Sequence, residues 1–240
     1  MKSRIGLGAI LIAGIGLVGG VILVNSQSEP ERPRMLPRDH GTAVVYVALG
    51  DSTVSGEGAS SPEKNYVSRL YAQLRSVYPK AQLTNLGVSG ATSADAVRAQ
   101  LPRAVALRPH LVTLSIGPND VVQGQDAQQY EQNIESIFQT LSRETRAVVV
   151  ANLLPDMSLS PRFTVDEKDA VRGQTVLFNE VLARQGQQYD VEIVDVFRPS
   201  QEEVPGHKEL FAGDEYHPSD EGYARWADHM WRGVEARIRR

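Results

Sequence analysis

Five short segments that read as strands, most of them apolar, separated by stretches of helical period, constrain this chain more than any other feature. They fall at residues 43–49 (AVVYVAL, ending in Gly50), 82–86, 111–116, 147–153 and 191–197. The first has the pattern of a strand buried on both faces. Between them, Val67, Leu70, Tyr71, Leu74, Val77 and Tyr78 recur at helical spacing and stop at Pro79. A second helix opens after Thr92 or Ser93 and breaks at Pro102. Further helices carry Tyr130, Ile134, Ile137, Phe138 and Leu141, then residues 171–182, and finally Tyr223, Trp226, Ala227, Met230, Trp231, Val234 and Ile238. Parallel strands need crossovers, and both sheet faces must be covered, so the pattern predicts an α/β fold: a five-stranded parallel sheet between helix layers. In such a sheet, ligands bind at the carboxyl ends of the strands.

Ahead of this pattern, residues 5–24 hold no charged or strongly polar side chain and follow Lys2 and Arg4. Twenty such residues, at 1.5 Å each, match the roughly 30 Å of a bilayer's hydrocarbon core, and the run exceeds the usual h-region of a cleaved signal. The expectation is an uncleaved signal anchor over residues 1–24, with cleavage after Val24-Asn25-Ser26 as the rival. Either way the domain is exported. Residues 25–40, with Pro30, Pro33 and Pro37 and no apolar period, read as a flexible tether, which leaves 41–240 as the folded domain. A formal charge of −4 argues against a nucleic-acid partner. The absence of cysteine excludes disulfides, thiolate zinc sites and a Cys nucleophile. No group of histidines and carboxylates has metal-ligand spacing, so neither metal nor organic cofactor is expected.

At the strand ends stand Gly50-Asp51-Ser52, Asn85-Leu86-Gly87 and Gly117-Pro118-Asn119-Asp120, and before the last helix Asp214-Glu215-Tyr216-His217. A serine nucleophile needs a base, the base an orienting acid, and the tetrahedral oxyanion fixed donors. Ser52, His217, Asp214 and the pair Gly87 and Asn119 can fill those roles. Each also has a plainer use. Ser52 would cap a helix, Gly87 and Asn119 would serve turns, and Asp214 would be a loop acid rivalled by Asp195. His217 has four competitors, His40, His110, His207 and His229, of which the last two read as surface residues. Ser89, in Gly87-Val88-Ser89-Gly90-Ala91, nearly matches a G-x-S-x-G elbow but fails at the fifth position.

Taken together, the blocks Gly50-Asp51-Ser52-Thr53-Val54-Ser55-Gly56, Asn85-Leu86-Gly87-Val88-Ser89-Gly90, Gly117-Pro118-Asn119-Asp120 and Asp214-Glu215-Tyr216-His217-Pro218 resemble the SGNH hydrolases of the GDSL esterase/lipase family. Thr53 stands where the family name has Leu. The resemblance implies a flavodoxin-like three-layer α/β/α sandwich. It also implies an acyl-enzyme on Ser52, His217 as base, Asp214 as acid, and an oxyanion hole of the Ser52 and Gly87 N–H groups with the Asn119 amide. The expected function is an exported, membrane-anchored ester hydrolase for a small-molecule ester of short to medium acyl length. A carbohydrate or cell-wall O-acetyl esterase is the alternative within enzymes, and an inactive surface binding protein the alternative outside them. Met157, Leu159, Phe163, Leu210 and Phe211, in the loops after the fourth and fifth strands, are the candidate apolar residues of an acyl pocket.

Overall fold

Alternate residues of the three central strands enter two different cores, and this period of two divides the molecule into layers. The computed structural model describes residues 33–238. The elements are β1 (Val45–Gly50), α1 (Ser52–Ser55), α2 (Tyr66–Val77), β2 (Gln82–Asn85), α3 (Ser93–Asp95), α4 (Leu101–Ala106), β3 (Leu111–Ser115), α5 (Pro118–Val122), α6 (Ala127–Glu144), β4 (Val148–Asn152), α7 (Val165–Gln188), β5 (Glu192–Val194), α8 (Phe197–Glu203) and α9 (Asp220–Ala236). The strands lie in the order β2-β1-β3-β4-β5, every neighbouring pair parallel. Val47, Leu49, Val112, Leu114, Val149 and Ala151 pack against α4, α6 and α7. Tyr46, Ala48, Leu111, Val148 and Val150 pack against α2 and α9. This is the expected three-layer sandwich, its five strands where the apolar runs placed them.

Three local departures have physical causes. Strand β5 ends at Val194 rather than at 197, because Asp195 Oδ1 accepts from the N–H groups of Phe197 and Arg198 at 2.9 and 3.1 Å and starts α8 instead. Pro102 does not break its helix. A wide π-turn over Ala96–Gln100 joins α3 to α4 and absorbs the proline's missing N–H. The segment read as a tether is ordered over its described part: Leu36 is buried and donates its N–H to Arg237 O, Arg34 reaches the carbonyls of Ser142 and Thr145, and Tyr78 Oη donates to Pro37 O. The folded body therefore begins before Gly41. One leucine and one arginine are too few to produce a periodic signal. The expected anchor, residues 1–24, and the first part of the tether lie outside the described residues. Among the described residues no helix is long and apolar enough to cross a membrane.

The end of β1 is clamped. Gly50 sits at φ +146°, and a Cβ there would meet Ser115 O at 1.9 Å, so no side chain fits. The buried Gln100, aimed by the π-turn, takes the Gly50 N–H on Oε1 and gives Nε2–H to Gly50 O, both at 2.8 Å. Asp51 then caps α1: its Oδ1 accepts from Thr53 N–H and Thr53 Oγ1–H, each at 2.9 Å. Its other oxygen is buried without a partner among the described residues.

Burial pushes the Asp51 carboxyl up to about 6; the two Thr53 bonds oppose that, Asp120 adds to it and His217 opposes it. A carboxyl with a raised folded-state pKa holds its proton longer than the unfolded chain does. Between pH 4 and 6 it therefore makes stability fall as pH rises, by on the order of 3 kcal/mol across the window. Asp51→Asn keeps the acceptor for Thr53 and removes the titration. Urea unfolding from pH 4 to 7 should show the variant gaining on the wild type as pH rises through that window. Parallel curves for the two proteins would contradict the assignment.

Candidate active site

The nucleophile candidate is placed by backbone geometry before any catalytic partner is considered. Ser52 is the first residue of α1, directly after the clamped glycine and the capping aspartate, and is 6% exposed. Its N–H lies in the first turn of a helix, where no intrahelical acceptor exists. No other acceptor for it is found among the described residues.

His217 arrives from the loop before α9. That loop is pinned by an antiparallel bridge between Phe211 and Pro218 and by the Ala212 N–H on His217 O at 2.8 Å. Glu215 takes φ +60° at its tip, and its carbonyl accepts from Ser160 Oγ at 2.7 Å. The turn brings His217 Nε2 to 2.9 Å from Ser52 Oγ, within reach for proton transfer. Asp214 serves both the turn and the ring. Its Oδ1 accepts from the N–H groups of Tyr216 and His217, each at 3.0 Å, while Oδ2 meets His217 Nδ1 at 2.5 Å. Partial burial raises the Asp214 carboxyl, but the His217 hydrogen bond, the two N–H groups and the His217 charge together depress it to about 2. It is ionised throughout the neutral range.

The oxyanion candidates separate. Asn119, in α5, gives one amide hydrogen to Ala91 O at 2.9 Å, which fixes its orientation; the second has no acceptor among the described residues. Its neighbour Asp120 is buried and accepts from Ser93 N–H at 2.9 Å and Ser93 Oγ at 2.5 Å, while Asn133 donates to Ser93 Oγ at 2.9 Å. Asp120 thus ties the Asn119 loop to the loop after β2. Gly87 differs from the expectation. Its N–H is donated to Asn85 Oδ1 at 2.9 Å, and Asn85 Nδ2 in turn holds Val54 O at 2.7 Å. A Cβ on Gly87 would lie 2.6 Å from Val54 Cγ1 and 2.8 Å from Ser55 N, so glycine is required there by the approach of α1.

The competing residues are occupied elsewhere. Ser89 Oγ lies between Glu57 Oε1 and Ser55 Oγ, with no histidine beside it. Asp195 caps α8, and His110 Nδ1 accepts the Val45 N–H. His40 stands edge-on to Tyr78, and His207 meets Glu209. His229 is not the surface residue its sequence context implied: its side chain is 14% exposed and meets Glu203 at 3.1 Å.

Two spaces meet at Ser52 and His217. One is an apolar cavity of about 130 Å³ walled by Met157, Leu159, Val204, Leu210, Phe211 and Trp226. Four of these are among the five residues expected to form an acyl pocket. The fifth, Phe163, packs on the edge of Tyr216 instead. The other is an open cleft whose wall includes the polar side chains of Glu57, Ser89, Asn119 and Arg162. Asp120, Gln100 and Arg162 were not singled out from sequence as site residues. Only the position of Asp120 beside Asn119 carried any signal of its part.

Comparison with known proteins identifies the family and the fold. The model of the GDSL-like lipase/acylhydrolase family matches residues 48–225. Esterase TesA of Pseudomonas aeruginosa is 24% identical over 198 residues, 82% of this chain and 90% of the relative. A crystal structure of TesA superposes with a TM-score of 0.66 at 25% identity, covering 81% of this chain and 99% of that one. The acetylxylan esterase Axe2 from Geobacillus stearothermophilus superposes at 0.64 with 22% identity, over 81% and 95% of the two chains, which speaks for the shared fold. The match over residues 48–225 takes in the Ser52, Gly87, Asn119 and His217 blocks, and the chain belongs to the GDSL-like lipase/acylhydrolase family as a carboxylic-ester hydrolase.

Proposed function

We propose that the chain hydrolyses esters of short to medium acyl length through an acyl-enzyme on Ser52. The observation that carries this reading is the chain of contacts from Asp214 through His217 to Ser52 Oγ, at 2.5 and 2.9 Å. His217 Nε2 takes the Ser52 proton as Oγ attacks the ester carbonyl, and Asp214 holds the ring's tautomer and stabilises the imidazolium. The Ser52 N–H and the free Asn119 amide hydrogen receive the oxyanion. Gly87 joins them only by releasing Asn85. The imidazolium then protonates the departing alcohol. Water, activated by the same histidine, frees the acid.

The apolar cavity beside Ser52 supports the acyl assignment. Its volume of about 130 Å³ compares with the roughly 150 Å³ that holds a benzene ring in an engineered cavity, so it takes a chain of roughly four to six carbons. Beyond that length each methylene left in water forfeits about 0.8 kcal/mol of transfer free energy. The run at residues 5–24 supports export and a membrane anchor, with the catalytic domain outside the cytoplasm.

Ser52→Ala should lower kcat by at least about 10⁴-fold with unchanged circular dichroism. Near-normal turnover would move the nucleophile elsewhere. Asn119→Ala should lower kcat by about 10²- to 10³-fold with a smaller change in KM; a change confined to KM would make Asn119 a binding residue. Across a p-nitrophenyl ester series, kcat/KM should peak near four to six acyl carbons, and Val204→Phe, on the cavity wall, should move the peak to shorter chains. A maximum at long chains would require a groove other than this cavity.

A further inference from the structure

The acyl cavity leaves the second space at Ser52 without an occupant, and its chemistry is different. This cleft, of about 390 Å³, contains one carboxylate, Glu57, and one guanidinium, Arg162, with Ser89, Asn119 and Tyr216 between them. Its single apolar side chain, Val122, is 46% exposed. We propose that Glu57 and Arg162 select the alcohol part of the ester, and that this alcohol is polyhydroxylated. The inference rests on Ser52 as nucleophile, which puts acyl and alcohol groups on opposite sides of the same serine.

Arg162 is held without a contact ion pair. Its Cζ lies 5.0 Å from the centroid of Tyr216, the residue before the catalytic histidine, and among the described residues its acidic neighbour Glu167 acts on it through space, with no carboxylate oxygen at salt-bridge distance. Stacking fixes the plane of a guanidinium while leaving its N–H fork free for an incoming acceptor. Glu57 is anchored from the other side. Ser89 Oγ meets its Oε1 at 2.7 Å, and Tyr223 Oη holds its backbone carbonyl at 2.6 Å. Its second carboxylate oxygen has no partner recorded among the described residues.

The two charges select by exclusion as well as by contact. An anionic alcohol would gain Arg162 but meet Glu57, and a cationic alcohol the reverse. A hydroxyl both donates and accepts, so neighbouring hydroxyls satisfy the carboxylate and the guanidinium together. Hydrogen bonds to charged groups are the stronger kind, which makes such a pair a usable discriminator even in an open cleft. Glycerol and sugar alcohols share this chemistry.

The test holds the acyl group constant and varies the alcohol. Acetyl esters of ethanol, glycerol, methyl glucoside and glycolate are assayed with wild type, Arg162→Gln and Glu57→Gln, all side chains at exposed positions. Each substitution is read as its loss of kcat/KM on one ester relative to its loss on ethyl acetate, which cancels differences in leaving-group reactivity. The proposal predicts a loss about 5- to 10-fold larger on the polyol esters. A loss confined to the glycerol ester identifies an acylglycerol-type substrate, and one confined to the glucoside a sugar ester. Equal losses on every ester, no loss on any, or sensitivity of the glycolate ester alone to Arg162 would overturn it. Turnover that survives Ser52→Ala would instead bring down the underlying reading.

Discussion

The carboxyl end of β1 has no room for a side chain, and the rest of the site is built around that crowding. Gly50 lies against the Ser115 carbonyl and is held on both peptide groups by Gln100, so the chain must turn out of the sheet at that point. Asp51 then caps a four-residue helix whose first residue is Ser52. Such a short helix is not stable by its own propensity. It persists because Gly87 and Asn85 pack on it and bond to it from the next strand's end. The position of Ser52 is therefore fixed by close packing of Gly50 and Gly87 and by the Gln100 and Asn85 side chains, while His217 is delivered separately by the loop before α9.

Two aspartates near this turn are driven in opposite directions by their surroundings. Asp51 is enclosed with one oxygen unpartnered, and its carboxyl rises. Asp214 sits at an exposed turn with both oxygens occupied by donors, and its carboxyl falls. Environments that separate two carboxyls in this way also separate their tasks. The ionised one faces His217 and can stabilise an imidazolium. The other holds the helix from which Ser52 projects, and its titration is felt as stability.

Much of this was legible in the chain itself. The sequence placed all five strands, most plainly β1, β3 and β4, because strands buried on both faces leave an unbroken apolar signal, and Ser52, Asn119 and Gly87 stand just beyond strand ends. The three-residue spacing of Asp214 and His217 favoured Asp214 over Asp195 as the acid beside the histidine, while the bonds of the same carboxylate to the turn's backbone left no signal. Other contacts left no local trace. Gln100 reaches Gly50 only because a π-turn re-aims it, and Pro102 alone suggested a break rather than a bulge. Arg34 and Leu36 dock on residues more than a hundred positions away in sequence, which no periodicity records. Gly87 is expected from the sequence as an oxyanion donor, yet its N–H bonds Asn85 Oδ1 two residues back; the part no local pattern records is Asn85 Nδ2 reaching across to Val54 O in α1.

The central claim is that one serine, activated by one histidine, carries the acyl group. A fluorophosphonate reacts with an activated serine and leaves a stable adduct whose site can be mapped by peptide mass spectrometry. The account predicts a single adduct, on Ser52, forming in step with loss of esterase activity and slowed by several orders of magnitude in His217→Ala. An adduct on Ser89, or full inactivation with Ser52 unmodified, would contradict it.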